Sequence, residues 1–418
     1  MRLPPVVGLI MSALLSCTAQ NAAYSGSDGT GMPGVTSAST TSSDTSISTA
    51  TTGPTSPQTT DDSHGPTSPE DETTASGLID AGEETRCWLT PILIEDLLPA
   101  GSTLSNVPVR VTTSRLGPTF NAENLRFYQD GVLLPHELEE PGRIAWVRLR
   151  EITGGADLEL EAITGPDCRD VPDALQASEV WSAGYIAVFH FDDGAGVPLV
   201  FTDSVDGIAL VADNNTDVAE SSAFLGSYAQ KSGNGALIAS DGELDISGPQ
   251  PLSILGWVRL EEEQAGVLPW DEDLEQARHR ELLGKLPGYR LSAVRGQVSL
   301  LSELQPRPFF NLSQAIPGPL QDNIFGTAPI QQDEWTMLAG TYTGTDASLY
   351  VNGELASTLA TEFIPGSDTD AELRVGRWLH GGVDEIRISN VARSAEWLRV
   401  QHASMTDMLL FYDRPEEL

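Results

Sequence analysis

The sequence predicts an all-β protein carried behind an N-terminal stretch that cannot build a core, and three observations predict it. From Arg86 onward, short runs such as "LSNVPVRVTTS" and "RIAWVRLREI" alternate apolar and polar residues with a period of two, punctuated by Gly, Pro and Asn. The dipeptide Asn352-Gly353 separates "SLYV" from "ELAST" and offers the two positive-φ residues that a tight hairpin turn needs. No long stretch of the region after Arg86 keeps the 3.6-residue repeat of an amphipathic helix.

The chain has 418 residues and a formal net charge of −37. That excess of carboxylates excludes a protein that grips nucleic-acid phosphates unaided, and it leaves many oxygen ligands for a hard cation such as Ca²⁺. Residues 1–17, "MRLPPVVGLIMSALLSC", carry one early Arg, a short apolar run and small residues, the pattern of a secretion signal. The ending "LLSC" resembles a bacterial lipobox. That resemblance implies lipidation of Cys17, and Thr18 after it implies an outer-membrane destination. Acyl chains anchor at roughly 0.8 kcal/mol per buried CH₂. The expected setting is therefore the cell envelope, with contact to the membrane through the lipid anchor only.

Residues 18–84 are expected to be a disordered tether. Of the 25 residues from Thr36 to Thr60, 17 are Ser or Thr, so burial cannot offset the entropy of ordering them. The chain has three cysteines. With Cys17 assigned to the lipid, Cys87 and Cys168 remain as a pair in an oxidising compartment. A bond between them would close a loop of ~80 residues, worth roughly 4–5 kcal/mol on the chain-entropy model; the alternative is two free thiols.

Residues 85–175 read as a first β domain. Trp88, "NAENLRFYQDGVLLPHELE" and "IAWVRLREITGGADLELEAITG" resemble a bacterial domain of unknown function that often precedes a laminin-G-like domain. The resemblance covers Arg86 to Pro172 and implies a secreted β-sandwich-like module with no activity. That family usually closes with Tyr-Tyr-Gly, where this chain has "LELEAITGPD".

Residues 180–405 read as a second β domain. "FHFDD", "LSILGWVRL", "WTMLAGTY" running into "LYVNGEL", and "VDEIRISNVARS" follow in an order that resembles a laminin-G-like jelly roll of the concanavalin type. The stretch from Gly266 to Gly288 reads as an insertion with a short helix capped near Asp271.

Candidate sites follow from the strand period. Strict alternation puts Asp384 on the face of Ile386 and Ile388, and Asp193 on the face of Ala187, Phe189 and Phe191. In the resembling family the first and last strands are neighbours. Asp193, Asp203 and Asp384 are therefore expected to converge on a structural Ca²⁺. Alternatively Asp384 accepts backbone N–H bonds or pairs with Arg374 or Arg377. Trp378 and His380, in "GRWLHGG", and Trp270, in the insertion, are the candidate sugar-contacting residues. Trp257 and Trp335 sit inside apolar strands and read as core anchors. His190 reads as a packed histidine.

A hydrolase reading finds little support. The jelly-roll glycosidases that the chain resembles carry a Glu-x-Asp-x-(x)-Glu strand. Here "GELDISGP" supplies Glu243 and Asp245, but Ser247 or Gly248 stands in the third place and cannot protonate a leaving group. The expected protein is a non-catalytic lipoprotein whose jelly roll binds carbohydrate. An adhesive module that contacts a cell-envelope protein is the alternative, and a glycoside hydrolase is a distant third.

Overall fold

The computed structural model describes residues 86–418, apart from 140–141, 157, 170, 195, 214–216, 223–224, 226, 233–234, 241, 262–278, 296–304, 315–320, 362–364 and 367–369. Cys17, the tether, Asp271 and Trp270 therefore lie outside the described residues.

The first module contains β1 (Trp88–Ile94), β2 (Thr103–Thr112), β3 (Arg126–Gln129), β4 (Val132–Leu134), β5 (His136–Leu138), β6 (Ile144–Thr153) and β7 (Leu158–Thr164). Alternation sets the faces: Trp88, Thr90, Ile92 and Ile94 of β1 are buried while Leu93 is exposed. The β2, β6 and β5 strands form one sheet, and β1, β7, β3 and β4 lie in another. Cys87 and Cys168 are joined by a disulfide with their Cα atoms 4.6 Å apart, tying the start of β1 to the loop beyond β7.

The larger sandwich is built from β8 (Tyr185–Phe189), β9 (Val200–Thr202), β10 (Ala209–Ala212), β11 (Asp217–Ser222), β12 (Ser227–Ser232) and β13 (Leu237–Ala239). It continues with β14 (Leu252–Leu260), β15 (His279–Lys285), β16 (Tyr289–Arg295), β17 (Pro306–Ser313), β18 (Gln321–Phe325) and β19 (Trp335–Tyr342). The last of its strands are β20 (Asp346–Val351), β21 (Glu354–Ala360), β22 (Leu373–Val375) and β23 (Gly381–Ser389). One sheet, called outer below, runs β18-β17-β16-β15-β22-β13-β10-β9. The other, the inner sheet, runs β11-β12-β23-β14-β19-β20-β21, with β8 also paired to β23. Between them lies a core that includes Phe189, Phe191, Ile254, Leu291, Phe310, Ile386 and Ile388. Asn352 and Gly353 make the turn between β20 and β21 with φ of 50° and 79°, as their sequence requires.

The middle of the inner sheet, β23, β14 and β19, is buried on both faces. Its second face meets the first module and a helix, α1 (Ala395–Met405), in a shared core that holds Trp146, Val147, Trp181, Leu255, Trp257, Met337 and Leu398. This helix departs from the reading of the C-terminal stretch as strands and turns. Its signal is Ser394, whose side chain accepts the Trp397 N–H, with Glu396 in the first turn. Beyond it, β24 (Leu410–Tyr412) and β25 (Glu416–Glu417) return to pair with β1 of the first module. Arg86 and Glu417 form an ion pair of 2.8 Å beside them.

Two further readings are corrected. Part of the supposed insertion is a sheet strand, since β15 sends Leu282 and Leu283 into the core. Gly242–Leu244 is a 3₁₀ turn, so Glu243 and Asp245 do not lie on a strand.

Candidate functional site

Two polar regions stand out, one on the outer sheet and one at the joint between the modules. On the outer sheet, Leu373, Val375, Leu237 and Ala239 fill the core, so the intervening Arg374 and Ile238 point the other way. After β22 the chain turns at Gly376 and Trp378, both with positive φ, and lays the Arg377 guanidinium 3.8 Å from the Trp378 ring centroid. These side chains and Asp213 line a cavity of about 530 Å³. Asp213 accepts the Ala236 N–H at 3.0 Å. An adjoining cavity of about 310 Å³ shares Arg374 and Arg377 and adds Glu281, Asp370 and Glu372. There Glu281 is 3.5 Å from Arg290 and Glu372 is 3.1 Å from Arg374.

The structure thus puts Trp378 at a cavity wall. His380 is half-buried and is not among the lining residues; its carbonyl accepts the Glu261 N–H at 3.0 Å. Trp257 is buried, as its strand predicts.

The three aspartates expected to share Ca²⁺ do not form one site. Asp193 is exposed and accepts the Thr202 N–H, while Asp203 accepts N–H bonds from Val205, Asp206 and Ile208. Asp384 is buried elsewhere, because the alternation breaks on β23. Leu255 pairs with Arg387 and Trp257 with Asp384, so Glu385 and Ile386 together face Gly256. Glu385 takes φ of 50° in this bulge. Val383, Ile386 and Ile388 enter the sandwich core. Asp384 and Arg387 share the opposite face with their partners Trp257 and Leu255, which belong to the joint.

At the same place β23 changes partner. It pairs with β12 through Gly381–Val383 and with β8 through Ile386–Ser389, and His190 follows β8 directly. His190 Nδ1 lies 2.7 Å from Glu385 Oε1 and 3.5 Å from Glu139 Oε1, and its Nε2 lies 3.6 Å from Glu137 Oε2. Its ring stacks on Trp146, 5.7 Å between centroids. Trp146 Nε1 donates to Glu139, and Trp181 Nε1 donates to Glu137. Arg387 donates to Glu385 Oε2 at 2.6 and 3.1 Å and to Gln401 of α1 at 2.7 Å, and covers the Trp146 ring at 4.2 Å.

Burial and charge pull these groups apart in acidity. Burial raises Glu385, but His190 and Arg387 outweigh it and bring its carboxyl down to about 2. Burial pushes Glu139 up to about 8, with His190 opposing and Glu385 adding to the rise. Burial and then the carboxylates of Glu385 and Glu139 hold Asp384 well above the carboxylate range. For His190 burial favours the neutral ring, but Glu385 and Glu137 prevail and raise it well above its ordinary value. Sequence reasoning missed Glu137 and Glu139. Their signal was the i, i+2 spacing in "HELEE", which puts both on one strand face, and which reads by default as a solvated face.

Residues 287–399 match the family described as the concanavalin A-like lectin/glucanases superfamily. This segment is a concanavalin A-like domain. The match begins before β16 and ends within α1, so it takes in Arg374, Arg377, Trp378, Asp384 and Glu385 of the concanavalin A-like domain. Among solved structures, the binding domain of Paraclostridial Mosquitocidal Protein 1 is 11% identical, covering 53% of this chain and 52% of that one, with a TM-score of 0.39. Domain 4 of AbnA, a GH43 extracellular arabinanase from Geobacillus stearothermophilus solved with arabinotriose, is 18% identical, covering 52% and 97%, with a TM-score of 0.36. The Botulinum neurotoxin serotype G binding domain is 14% identical, covering 51% and 50%, with a TM-score of 0.37. The chain thus spans about half the length of these toxin domains. No curated protein matches it in sequence.

Proposed function

We propose that the protein is a non-catalytic envelope lipoprotein, anchored through Cys17, whose concanavalin A-like domain binds glycan in the cavity of Arg374, Arg377 and Trp378. The observation that supports this is the lining itself. A space of about 530 Å³ bounded by two guanidiniums, a carboxylate and an indole falls in the range of small-ligand sites, ~300–1,000 Å³. Guanidinium donors matched to sugar oxygens, with an aromatic wall, suit a carbohydrate. Glycoside hydrolysis takes two carboxyl groups across the bond, and among the described residues this cavity is lined by one, Asp213.

The full chain is the material to test, because the two modules share a core. Titration with oligogalacturonate and with a neutral oligosaccharide should give saturable binding for at least one of them, and Arg377→Ala should weaken it about tenfold or more. Equal, unsaturable signals for both sugars would refute a glycan site and leave the adhesive reading. The acids of the adjoining cavity favour a second reading, as a hydrolase. Turnover of a labelled polysaccharide, lost in Glu372→Gln, would establish it. The anchor has its own test: Cys17→Ala should release the protein from membranes.

A further inference from the structure

We propose that Glu139, His190 and Glu385 bind one divalent transition-metal ion, Zn²⁺ or Mn²⁺ in kind, beside Asp384 at the joint between the two β modules. One ligand atom each from Glu139, His190 and Glu385 lies within 4.8 Å of the others, and these residues are 4%, 3% and 1% exposed. Asp384 adds an independent observation. It is fully buried beside Glu385 and Glu139; its Oδ1 accepts the Glu385 N–H at 2.8 Å, while its Oδ2 has no hydrogen-bond partner. A buried carboxylate oxygen without a donor is costly, and a cation is the partner that relieves it without adding hydrogen.

Charge points the same way. Carboxyl groups outnumber guanidiniums in this dry joint: Glu139, Asp384 and Glu385, with Glu137 behind His190, face the one guanidinium of Arg387. A divalent ion bound here would keep these carboxyls ionised and His190 neutral. The surroundings are those of a metal centre as well. Arg387 holds Glu385 by Oε2, which leaves Oε1 turned to His190 Nδ1. Trp146 fixes Glu139, and Glu137 stands behind His190 Nε2, the kind of outer carboxylate that orients a ligating imidazole.

The donor set selects the ion. One imidazole nitrogen and two carboxylates fit the three protein ligands of an open Zn²⁺ site or a Mn²⁺ site, whereas Ca²⁺ takes six to eight oxygens. Donors ~2.1 Å from a tetrahedral ion lie ~3.4 Å apart. The His190–Glu139 pair meets that at 3.5 Å, and the His190–Glu385 pair opens to it from 2.7 Å. Since Glu139 belongs to the first module and the other ligands to the sandwich, the ion would pin one to the other.

The test uses the full chain, produced separately with ZnCl₂ and with MnCl₂, desalted, and assayed for metal by mass spectrometry. About one ion per chain is expected, with a fall in Tm of about 5 °C or more under prolonged chelation and recovery with the same metal but not with CaCl₂. Asp384→Asn should weaken binding about tenfold or more. Because that variant can misfold, Co²⁺-loaded wild-type protein provides a second readout, a visible absorption spectrum of low-symmetry coordination. Metal below about a tenth of an ion per chain, with Tm indifferent to chelator, would overturn the proposal, as would recovery by CaCl₂. A His190 ring held as imidazolium in ¹⁵N spectra of metal-supplied protein would overturn it too.

Discussion

Strand β22 buries Leu373 and Val375 and leaves Arg374 half-exposed, whereas β23 buries all nine of its residues, Asp384, Glu385 and Arg387 included. The two strands belong to opposite layers of one sandwich. On the outer sheet β22 alternates core residues with the half-exposed Arg374, which a ligand can reach, although β15 beside it is buried along nearly all of its length. On the inner sheet β23 is covered on both faces, so its charges meet one another, the first module and α1. The same residue type therefore means different things on the two sheets: Arg374, paired with Glu372, stays half-exposed at a cavity, while Arg387 is a fixed part of the joint.

The largest expected effect breaks the joint. Arg387→Ala strips a guanidinium from buried Glu385 and Gln401 and should cost about 4 kcal/mol in urea unfolding. A loss below about 1 kcal/mol would mean that the joint is wet and that the contrast between the sheets is false. Next comes pH. Burial, and then the Arg126 charge, lower His136 to about 4, so its stabilising contribution is complete above pH 6.5 and is lost as pH falls through 4. About 3 kcal/mol should disappear between pH 6.5 and 4, and His136→Phe should flatten that part of the wild-type curve. The smallest effect is on the outer sheet, where Arg374→Ala should leave unfolding free energy within about 0.5 kcal/mol of wild type.

Much of the fold was legible because local signals and global fold agree. Period-two runs gave the strands, Asn352-Gly353 gave the hairpin, and the cysteine arithmetic gave Cys87–Cys168. The site at the joint was not legible, and the reason is specific. Alternation was extended through Glu385, but one bulged residue opposite Gly256 inverts the phase, so Asp384 leaves the face of Ile386. A Cβ on Gly256 would stand 2.4 Å from Ile386 Cδ1, so the glycine makes room for the core residue at the bulge, a relation between distant strands that no local window contains. Glu137 and Glu139 were hidden for a related reason: a charged i, i+2 pair looks solvated until a second module is placed over it. Ser394 was a readable cap, and the strand-like residues before it masked the helix it starts.

The pairing of β1 with β24 and β25 has a consequence for how the chain is made. Arg86 and its partner Glu417 are 331 positions apart, a separation that a ribosome needs on the order of tens of seconds to span. Throughout that interval the nascent β1 has an unmatched rim, the kind of edge that recruits foreign strands. A polypeptide clipped ahead of Leu410 would keep that rim permanently, and would be a substrate for proteases or a seed for clumping.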